Sequence, residues 1–378
     1  MRLSQRFLSF PRRYRTAFRV LGRCLAGALG QRLSLSDLPT DSSEWEHVLR
    51  LSSRHLVSPQ LRWALREQGL FHSVPTEVAE YLEAVYTLNL ERNSECENQL
   101  CEIVVALGKI GVQPVFLKGA AAILGGFYPT SGERMITDLD VLVPAEKLSE
   151  ILDELACVGY RPIDNYVDVA RSGVWQDFRH HYPPLFKPGF TTTIELHVQP
   201  VELPYVRLLS SEEVFRDARR VRWRGLLCSI PSPTHFITQN AIHAFLVDTR
   251  DNLRQVSLRQ LFEFTLASGI YGSGVAWTVL RDRFDEVGYG SALREYSALA
   301  STCLNFRFPP AIRVGAWNRF MIQSHLIRLD LDVPLLERML RFFGQLKWSL
   351  GNLSRKPALI AKLAQADSYR RWFNSLKR

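Results

Sequence analysis

The chain has 378 residues, 46% of them hydrophobic and 22% charged, a composition typical of a globular protein that can bury a sizeable core. This length favours two or three subdomains. No stretch approaches the ~20 consecutive apolar residues that cross a bilayer, and the six cysteines include neither a Cys-x-x-Cys pair nor a zinc-type cluster with histidines. We therefore expect a cytoplasmic protein without a transmembrane segment, a disulfide framework or a structural zinc site.

The net charge of +9 is concentrated at the two ends of the chain. Residues 1–36 contain eight arginines and no acidic residue, and residues 338–378 contain ten lysines and arginines against Asp367 alone, so the region between them carries a net −8. Charge runs of this kind are commonly solvated helix faces. Basic ends with interleaved aromatic residues also suit peripheral contact with an anionic membrane or a nucleic acid, and the Arg-rich N-terminus resembles an organelle transit peptide. We treat residues 1–40 as a basic N-terminal segment.

A helical region is predicted for residues 41–111. Trp45 and Val48 recur at helical spacing after the cluster Asp41-Ser42-Ser43, whose side chains are favourable N-caps. The 3.6-residue period of apolar side chains continues from Glu77 to Ile110. We expect these helices to pack on the part of the chain that follows.

The central region, residues 112–230, begins with a strand, glycine and helix order. Val115 to Leu117 is an apolar β-type run that leads into Lys118-Gly119 and a small-residue helix from Ala120. Such an order directs backbone N–H groups at an anion, and the lysine adds positive charge. The alternative is a strand-end lysine in solvent. We predict that Lys118 and Gly119 bind phosphate.

Two acidic residues follow in the apolar run Ile136 to Val143. Asp138 and Asp140 are spaced one residue apart, and this spacing predicts that both carboxylates lie on one face of a strand. Paired carboxylates on a rigid strand suit a hard divalent cation such as Mg²⁺ or Mn²⁺, which indicates phosphoryl or nucleotidyl transfer. The alternative is a surface turn or a solvated strand edge. Arg134, four residues before Asp138, can neutralise a phosphate or pair with a carboxylate.

A third carboxylate is predicted on the β-branched run Thr191 to Val198. Glu195 alternates with apolar side chains in this run, and His197 shares its face. Glu195 would complete a metal shell or accept a proton, whereas the alternative is an exposed strand acid. His197 would orient Glu195, contact substrate or be a half-buried structural histidine. The same central region is predicted to contain an amphipathic helix at Ala145 to Val158 and a further strand at Arg220 to Ser229.

Residues 231–378 are predicted to be helical and to end in the basic tail. His243 lies in an apolar helix from Thr234 to Leu246, where a histidine is commonly a core or interface residue. His180-His181 is predicted to belong to a surface loop, with substrate contact as the alternative. Helices on both sides of a central group of strands predict an α+β fold.

The motifs LKGAA, TDLDVLVP and IELH occur in that order, with Arg134 between the first two. This order resembles the uncharacterised nucleotidyltransferase family within the DNA polymerase β-like nucleotidyltransferase superfamily, over a region from about Trp45 to Phe308. The resemblance implies a small mixed β-sheet nucleotidyltransferase core flanked by N-terminal helices and a C-terminal all-helical region. The Gly-Gly or Gly-Ser signature of the superfamily is replaced here by Lys118-Gly119 at a longer spacing from the paired acids.

The resemblance also implies a metal-dependent enzyme that moves a nucleoside monophosphate group from an NTP to an unidentified acceptor hydroxyl. Mg²⁺ or Mn²⁺ would be the cofactor and the NTP the co-substrate. The catalytic metal ligands would be Asp138, Asp140 and Glu195. The triphosphate would contact Lys118, Gly119 and Arg134. The alternative is a non-catalytic member that binds nucleotide or a partner protein and retains the fold.

Overall fold

The computed structural model describes the backbone of residues 3–163, 180–248, 257–307, 309–318, 320 and 322, and the side chains from Thr16 onward. Within these residues, helices flank a seven-stranded mixed sheet, which confirms the predicted α+β fold. The basic tail predicted at 338–378 lies outside the described residues. In the part of the chain that the structure describes, no helix is long and apolar enough to cross a membrane.

Helices precede and follow the sheet in the chain. The described α-helices are α1 (Leu3–Ala28), α2 (Ser42–Arg54), α3 (Ser58–Glu67), α4 (Thr76–Lys109), α5 (Lys118–Leu124), α6 (Leu148–Cys157), α7 (Ser211–Arg216), α8 (Pro233–Ala241), α9 (Leu258–Tyr271), α10 (Trp277–Glu286) and α11 (Gly290–Leu304). Helix α8 continues into a π-helix at Ile242–Val247. As the sequence predicts, Asp41 caps α2, because its side chain accepts a hydrogen bond from the backbone N–H of Glu44.

The sheet has the spatial order β3-β4-β5-β2-β1-β7-β6. Its strands are β1 (Val115–Phe116), β2 (Asp138–Leu142), β3 (Arg161–Pro162), β4 (Leu185–Phe186), β5 (Thr193–His197), β6 (Arg219–Trp223) and β7 (Leu226–Ile230). Strand β2 lies at the centre, parallel to β5 and antiparallel to β1. Its side chains Leu139 and Val141 are completely buried, so the apolar positions of β2 belong to the core, as alternation predicts.

The long helix α4 fixes the loops that lead into β2 and β5. Asn93 donates hydrogen bonds to the carbonyl oxygens of Ser131 and Arg134 at 2.5 and 2.6 Å. Gln99, two turns further on, donates to the carbonyl of Thr192 at 3.0 Å. Buried amides that bind loop carbonyls satisfy polar groups that water cannot reach. Helix α4 therefore positions the start of both strands.

Helix α1 packs against α2, α3 and α11. Leu21, Cys24 and Leu25 are completely buried. Gly22 approaches α11 so closely that a Cβ at this position would lie 2.7 Å from the carbonyl oxygen of Cys303. The second half of α1 is therefore part of the folded core, although it lies in the basic segment.

Two features of the sheet differ from the sequence predictions. The predicted strand Arg220 to Ser229 is a hairpin of two strands, β6 and β7, so that prediction was wrong. Its turn residues Arg224 and Gly225 both have positive φ, 47° and 79°, as a two-residue hairpin turn requires. Only one of them is glycine, so the turn signal in the sequence is weak. Strands β3 and β4 have two residues each, too few to show alternation.

Candidate functional site

Strands β2 and β5 bring acidic side chains together. They pair in parallel with Asp140 beside Glu195 and Asp138 beside Thr193. His197 lies two residues after Glu195 and therefore on the same face of β5. The register thus places the second aspartate, the glutamate and the histidine side by side.

Asp140 is bound on two sides. Its side chain is 2% exposed, and its Oδ1 accepts hydrogen bonds from Lys118 Nζ at 2.6 Å and from His197 Nε2 at 2.8 Å. Burial alone would raise the pKa of Asp140, but the charge of Lys118 and the hydrogen bond from His197 outweigh it and hold the pKa well below its usual value. Asp140 is therefore a buried and permanently ionised carboxylate at neutral pH.

Glu195 lies beside this group but is held less closely. Its Oε2 is 3.7 Å from His197 Nε2 and 4.0 Å from His181 Nε2. Burial, and then the neighbouring charge of Asp140, raise the pKa of Glu195. A carboxylate that binds a proton more readily than usual is suited to take one from a substrate.

Three histidine rings lie together near the glutamate. The rings of His180, His181 and His197 are separated by 4.9 to 5.3 Å. Burial lowers the pKa of His197 and lowers that of His180 to about 2, so both imidazoles are neutral at physiological pH. The pair His180-His181 is half-buried against β5 and not in an open surface loop. Its contact with substrate stays a prediction.

Asp140, Glu195 and His197 can hold a metal ion. Each offers one ligand atom, and these atoms all lie within 4.8 Å of one another. The two carboxylates fit Mg²⁺ or Mn²⁺. This group differs from the predicted ligand set because it contains His197 in place of Asp138. Asp138 is half-buried, and its Oδ1 accepts a hydrogen bond from Thr137 Oγ1 at 2.9 Å.

A cavity opens beside this group, with the C-terminal helices α8 and α9 on its other side. Its lining includes Lys118, Asp138, Asp140 and Arg259. Lys118 is the first residue of α5, and its φ of +45° is rare for a residue with a side chain and is often found at functional sites. Burial would lower the pKa of Lys118, but the charges of Asp140, Asp138 and Glu195 raise it. Lys118 is therefore a cation in the cavity wall.

A family model described as "Uncharacterised nucleotidyltransferase" matches residues 41–305. The chain belongs to this family. The match begins at the N-cap of α2 and ends just after α11, so it contains the whole sheet and the cavity and leaves α1 outside. It confirms the family indicated by the motifs and supports nucleotidyl transfer as the general activity. No curated protein and no solved structure matches the chain.

Arg134 is already paired with a carboxylate. Its Nε and Nη2 donate to the two carboxylate oxygens of Glu263 at 3.1 and 3.0 Å, and both side chains are almost completely buried. A Cβ at Gly119 would lie 3.2 Å from Arg134 Nη2, so the glycine leaves room for the guanidinium. Arg134 and Gly119 both line the cavity. Their contact with a triphosphate stays a prediction.

The run Leu258-Arg259-Gln260-Leu261 belongs to the family resemblance, but sequence reasoning assigned no role to the cavity residues of helix α9. Arg259, Gln260 and Glu263 line the cavity together with Asp138 and Asp140 of β2. A signal was present for Glu263, because an acidic residue within the apolar run Leu261 to Ala267 needs a buried cation or hydrogen-bond donor. No sequence signal identified Arg134 as that partner, since the two residues are 129 positions apart.

His243 also lines the cavity, on the π-helix that follows α8. Its Nδ1 accepts a hydrogen bond from Gln260 Nε2 at 2.5 Å. Burial, and then the charge of Lys118, lower the pKa of His243 to about 3. The imidazole is thus neutral, with its proton on Nε2. π-Helical turns occur often at functional sites, so the backbone adds a structural indication that the sequence could not supply.

Proposed function

We propose that this protein is a metal-dependent nucleotidyltransferase that moves a nucleoside monophosphate group from an NTP to an acceptor hydroxyl and releases pyrophosphate. One observation carries the proposal. Two in-register carboxylates, Asp140 and Glu195, lie within reach of a lysine and a histidine beside a cavity, in a chain of the nucleotidyltransferase family.

The carboxylates have different electrostatic settings, and we assign them different roles. Asp140 stays ionised because Lys118 and His197 bind it, so it is suited to hold a cation. Glu195 has a raised pKa, so it is suited to take the proton of the acceptor hydroxyl. Asp138, at the edge of the cavity, would join Asp140 and Glu195 in holding Mg²⁺ or Mn²⁺. When bound, the metal supplies positive charge for the triphosphate and lowers the pKa of the acceptor hydroxyl.

In the proposed reaction the acceptor oxygen attacks the α-phosphorus of the NTP, and the bond between the α-phosphorus and the bridging oxygen breaks. The bridging oxygen leaves with pyrophosphate, and the hydroxyl proton passes to Glu195. Negative charge grows on the phosphate oxygens as this happens, and fixed positive charge in the cavity stabilises it. Lys118 is the cation closest to Asp140, and Gly119 and Arg134 complete the predicted phosphate-binding side.

The test is transfer of label from an NTP. The purified protein is incubated with each α-labelled NTP in turn, Mg²⁺ or Mn²⁺, and an extract of host cells, and labelled products are separated from free nucleotide. We expect one fraction to carry metal-dependent label. Asp140→Asn should abolish it, whereas Asp153→Asn, an exposed acid on α6, should not. Equal labelling by the parent and Asp140→Asn, with both folded, would contradict the proposal.

A further inference from the structure

Arg259, near the start of helix α9, is a half-buried cation with no ion-pair partner among the described residues. Its Nη1 donates to the carbonyl oxygen of Met135 at 3.0 Å. Its Nε is buried and has no hydrogen-bond partner, and no carboxylate among the described residues lies within ion-pair distance of it. The guanidinium lines the same cavity as Asp138 and Asp140.

The surroundings of Arg259 disfavour a positive charge. Arg134 lies close by and donates to the same carbonyl oxygen of Met135. It also donates to both carboxylate oxygens of Glu263. Burial, and then the charge of Arg134, lower the pKa of Arg259 to about 10, and they outweigh the opposing charges of Glu263 and Asp138. Arg259 also lies in the first turn of α9, where the helix dipole opposes a cation. A partly buried charge that has no ion pair among the described residues destabilises the folded protein in such a place.

One hydrogen bond to Met135 does not account for a guanidinium at this position. A neutral amide would make the same bond without the cost of the buried charge. A guanidinium has five N–H donors in a planar fork that matches the oxygens of a phosphate in a bidentate way. The guanidinium of Arg259 has donors that Met135 does not use, and Arg259 lines the same cavity as the candidate metal ligands Asp138 and Asp140.

We propose that Arg259 binds the triphosphate of the NTP in the cavity that the candidate metal ligands Asp138 and Asp140 also line. The inference rests on the proposed function, since it assigns a residue to the same substrate. The triphosphate supplies the direct ion-pair partner that Arg259 does not have among the described residues. Arg259 is thus a substrate-binding residue, and Arg134, paired with Glu263, positions the wall next to it.

The experiment measures binding of an NTP and of the matching nucleoside to the full chain in the presence of Mg²⁺, by titration calorimetry or by displacement of a fluorescent nucleotide. Arg259→Gln keeps a donor for Met135 and removes the charge. Because hydrogen bonds to charged groups contribute about 1.5 to 3 kcal/mol, NTP affinity should fall roughly 10- to 150-fold while nucleoside affinity is unchanged. Arg222→Gln, an exposed arginine of β6, is the matched control and should change neither affinity.

Each outcome decides the matter. If the parent binds NTP and Arg259→Gln binds it equally well, this inference is wrong and the proposed function is untouched. If the parent protein binds no NTP, both this inference and the proposed function are wrong. A parallel loss of NTP and nucleoside binding would assign Arg259 a purely structural role and overturn the inference. Should Arg259→Gln not fold, Arg259→Lys is used, which lacks the bidentate fork, and an unchanged ratio of NTP to nucleoside affinity then overturns the inference.

Discussion

Lys118 Nζ lies 2.6 Å from Asp140 Oδ1, and the pair joins the start of helix α5 to the central strand of the sheet. The ammonium therefore compensates the most buried carboxylate of the candidate site in the absence of any metal. It also stands where a metal bound to Asp140 would compete for the same oxygen. This relationship gives Lys118 a role in the stability of the fold, in addition to its proposed contact with phosphate.

Replacing Lys118 should destabilise the protein in a pH-dependent way. Lys118→Met leaves Asp140 buried without its main counter-charge, and we expect the free energy of unfolding to fall by about 3 kcal/mol at pH 7. The pKa of Asp140 is depressed in the folded parent, so its contribution to stability is present above its unfolded value of 3.8 and is lost as the pH falls below it. Urea unfolding at pH 7 and at successively lower pH measures this.

The control for Lys118 is Lys109→Met, which removes an exposed lysine that pairs with Glu154 at 3.1 Å. Surface pairs contribute at most about 1 kcal/mol, so its effect should be small and nearly independent of pH. Equal destabilisation by the two variants would show that the Lys118 pair contributes no more than a surface pair. Mg²⁺ should recover part of the stability of Lys118→Met, since a metal can replace the lost charge.

Glu195→Gln should separate stability from activity. The raised pKa of Glu195 means that the folded protein holds its proton more tightly than the unfolded chain does. That contribution to stability is complete below the unfolded pKa of 4.5 and is lost as the pH rises through the folded pKa. A neutral glutamine does not ionise, so the variant does not lose stability as the pH rises. In EDTA its free energy of unfolding should therefore exceed that of the parent at pH 7, and the difference between the two proteins should shrink below pH 4.5.

Transfer by Glu195→Gln should nevertheless be slower by roughly 10²- to 10⁴-fold, the usual contribution of a positioned general base. Label transfer from the NTP, measured at saturating metal, tests this. A variant that gains stability and loses turnover identifies a residue kept for chemistry. A variant that transfers label at the parental rate would show that Glu195 is only a strand acid.

The carboxylates were predictable from the sequence because they depend on local geometry. Asp138 and Asp140 share a face through strand alternation, and Glu195 shows the same period-2 pattern. The partners of these acids were not predictable, because they depend on strand register. The sequence alone is compatible with a structural or a functional role for His197. The parallel pairing of β2 with β5 places its Nε2 2.8 Å from Asp140 Oδ1.

The same distinction applies to the fold. Helices α2 and α4 follow from an apolar period that continues over many residues, and an N-cap marks the start of α2. The pairing of Arg134 with Glu263 could not be derived, since each residue alone is compatible with several partners. Arg134 was assigned to phosphate from its sequence position near Asp138. The closer partner is an acid from the C-terminal helical region.

The Arg134 and Glu263 pair should be strongly coupled. Removing one partner, as in Glu263→Leu or Arg134→Met, leaves the other charge buried, and each change should lower the free energy of unfolding by about 3 to 5 kcal/mol. The double variant Arg134→Met with Glu263→Leu should be more stable than either single variant, because no buried charge remains. Denaturant unfolding of all four proteins gives the coupling energy as a double-mutant cycle.

Additive losses in that cycle would contradict the ion pair. Nucleotide affinity supplies a second readout for the same proteins. If Arg134 acts mainly by holding the cavity wall, the double variant should keep much of the NTP affinity of the parent. If Arg134 contacts the triphosphate directly, the double variant should lose affinity even when its stability is recovered.

The basic N-terminal segment should be tested by charge and not by deletion. Leu21 and Leu25 of helix α1 are completely buried, so removal of residues 1–36 would expose the core. The appropriate variant replaces the five arginines that precede the buried part of the helix, Arg2, Arg6, Arg12, Arg13 and Arg15, with glutamine. If these residues contact an anionic surface, retention on anionic liposomes should fall roughly 10³- to 10⁴-fold at low salt, because five charges at about 1 kcal/mol each sum to about 5 kcal/mol.

A matched control makes the same change in charge on the body of the protein. It replaces five exposed arginines with glutamine, namely Arg50, Arg54, Arg207, Arg222 and Arg307. Retention on liposomes and on immobilised RNA is compared at several salt concentrations, because contacts between exposed charges weaken with ionic strength. Selective loss with the N-terminal set on one matrix identifies a lipid or a nucleic-acid contact. Equal loss of retention with both sets would show that retention depends only on net charge. Unchanged retention with both sets would show that these arginines are solvated, because removing the charge of a contacting guanidinium weakens the contact.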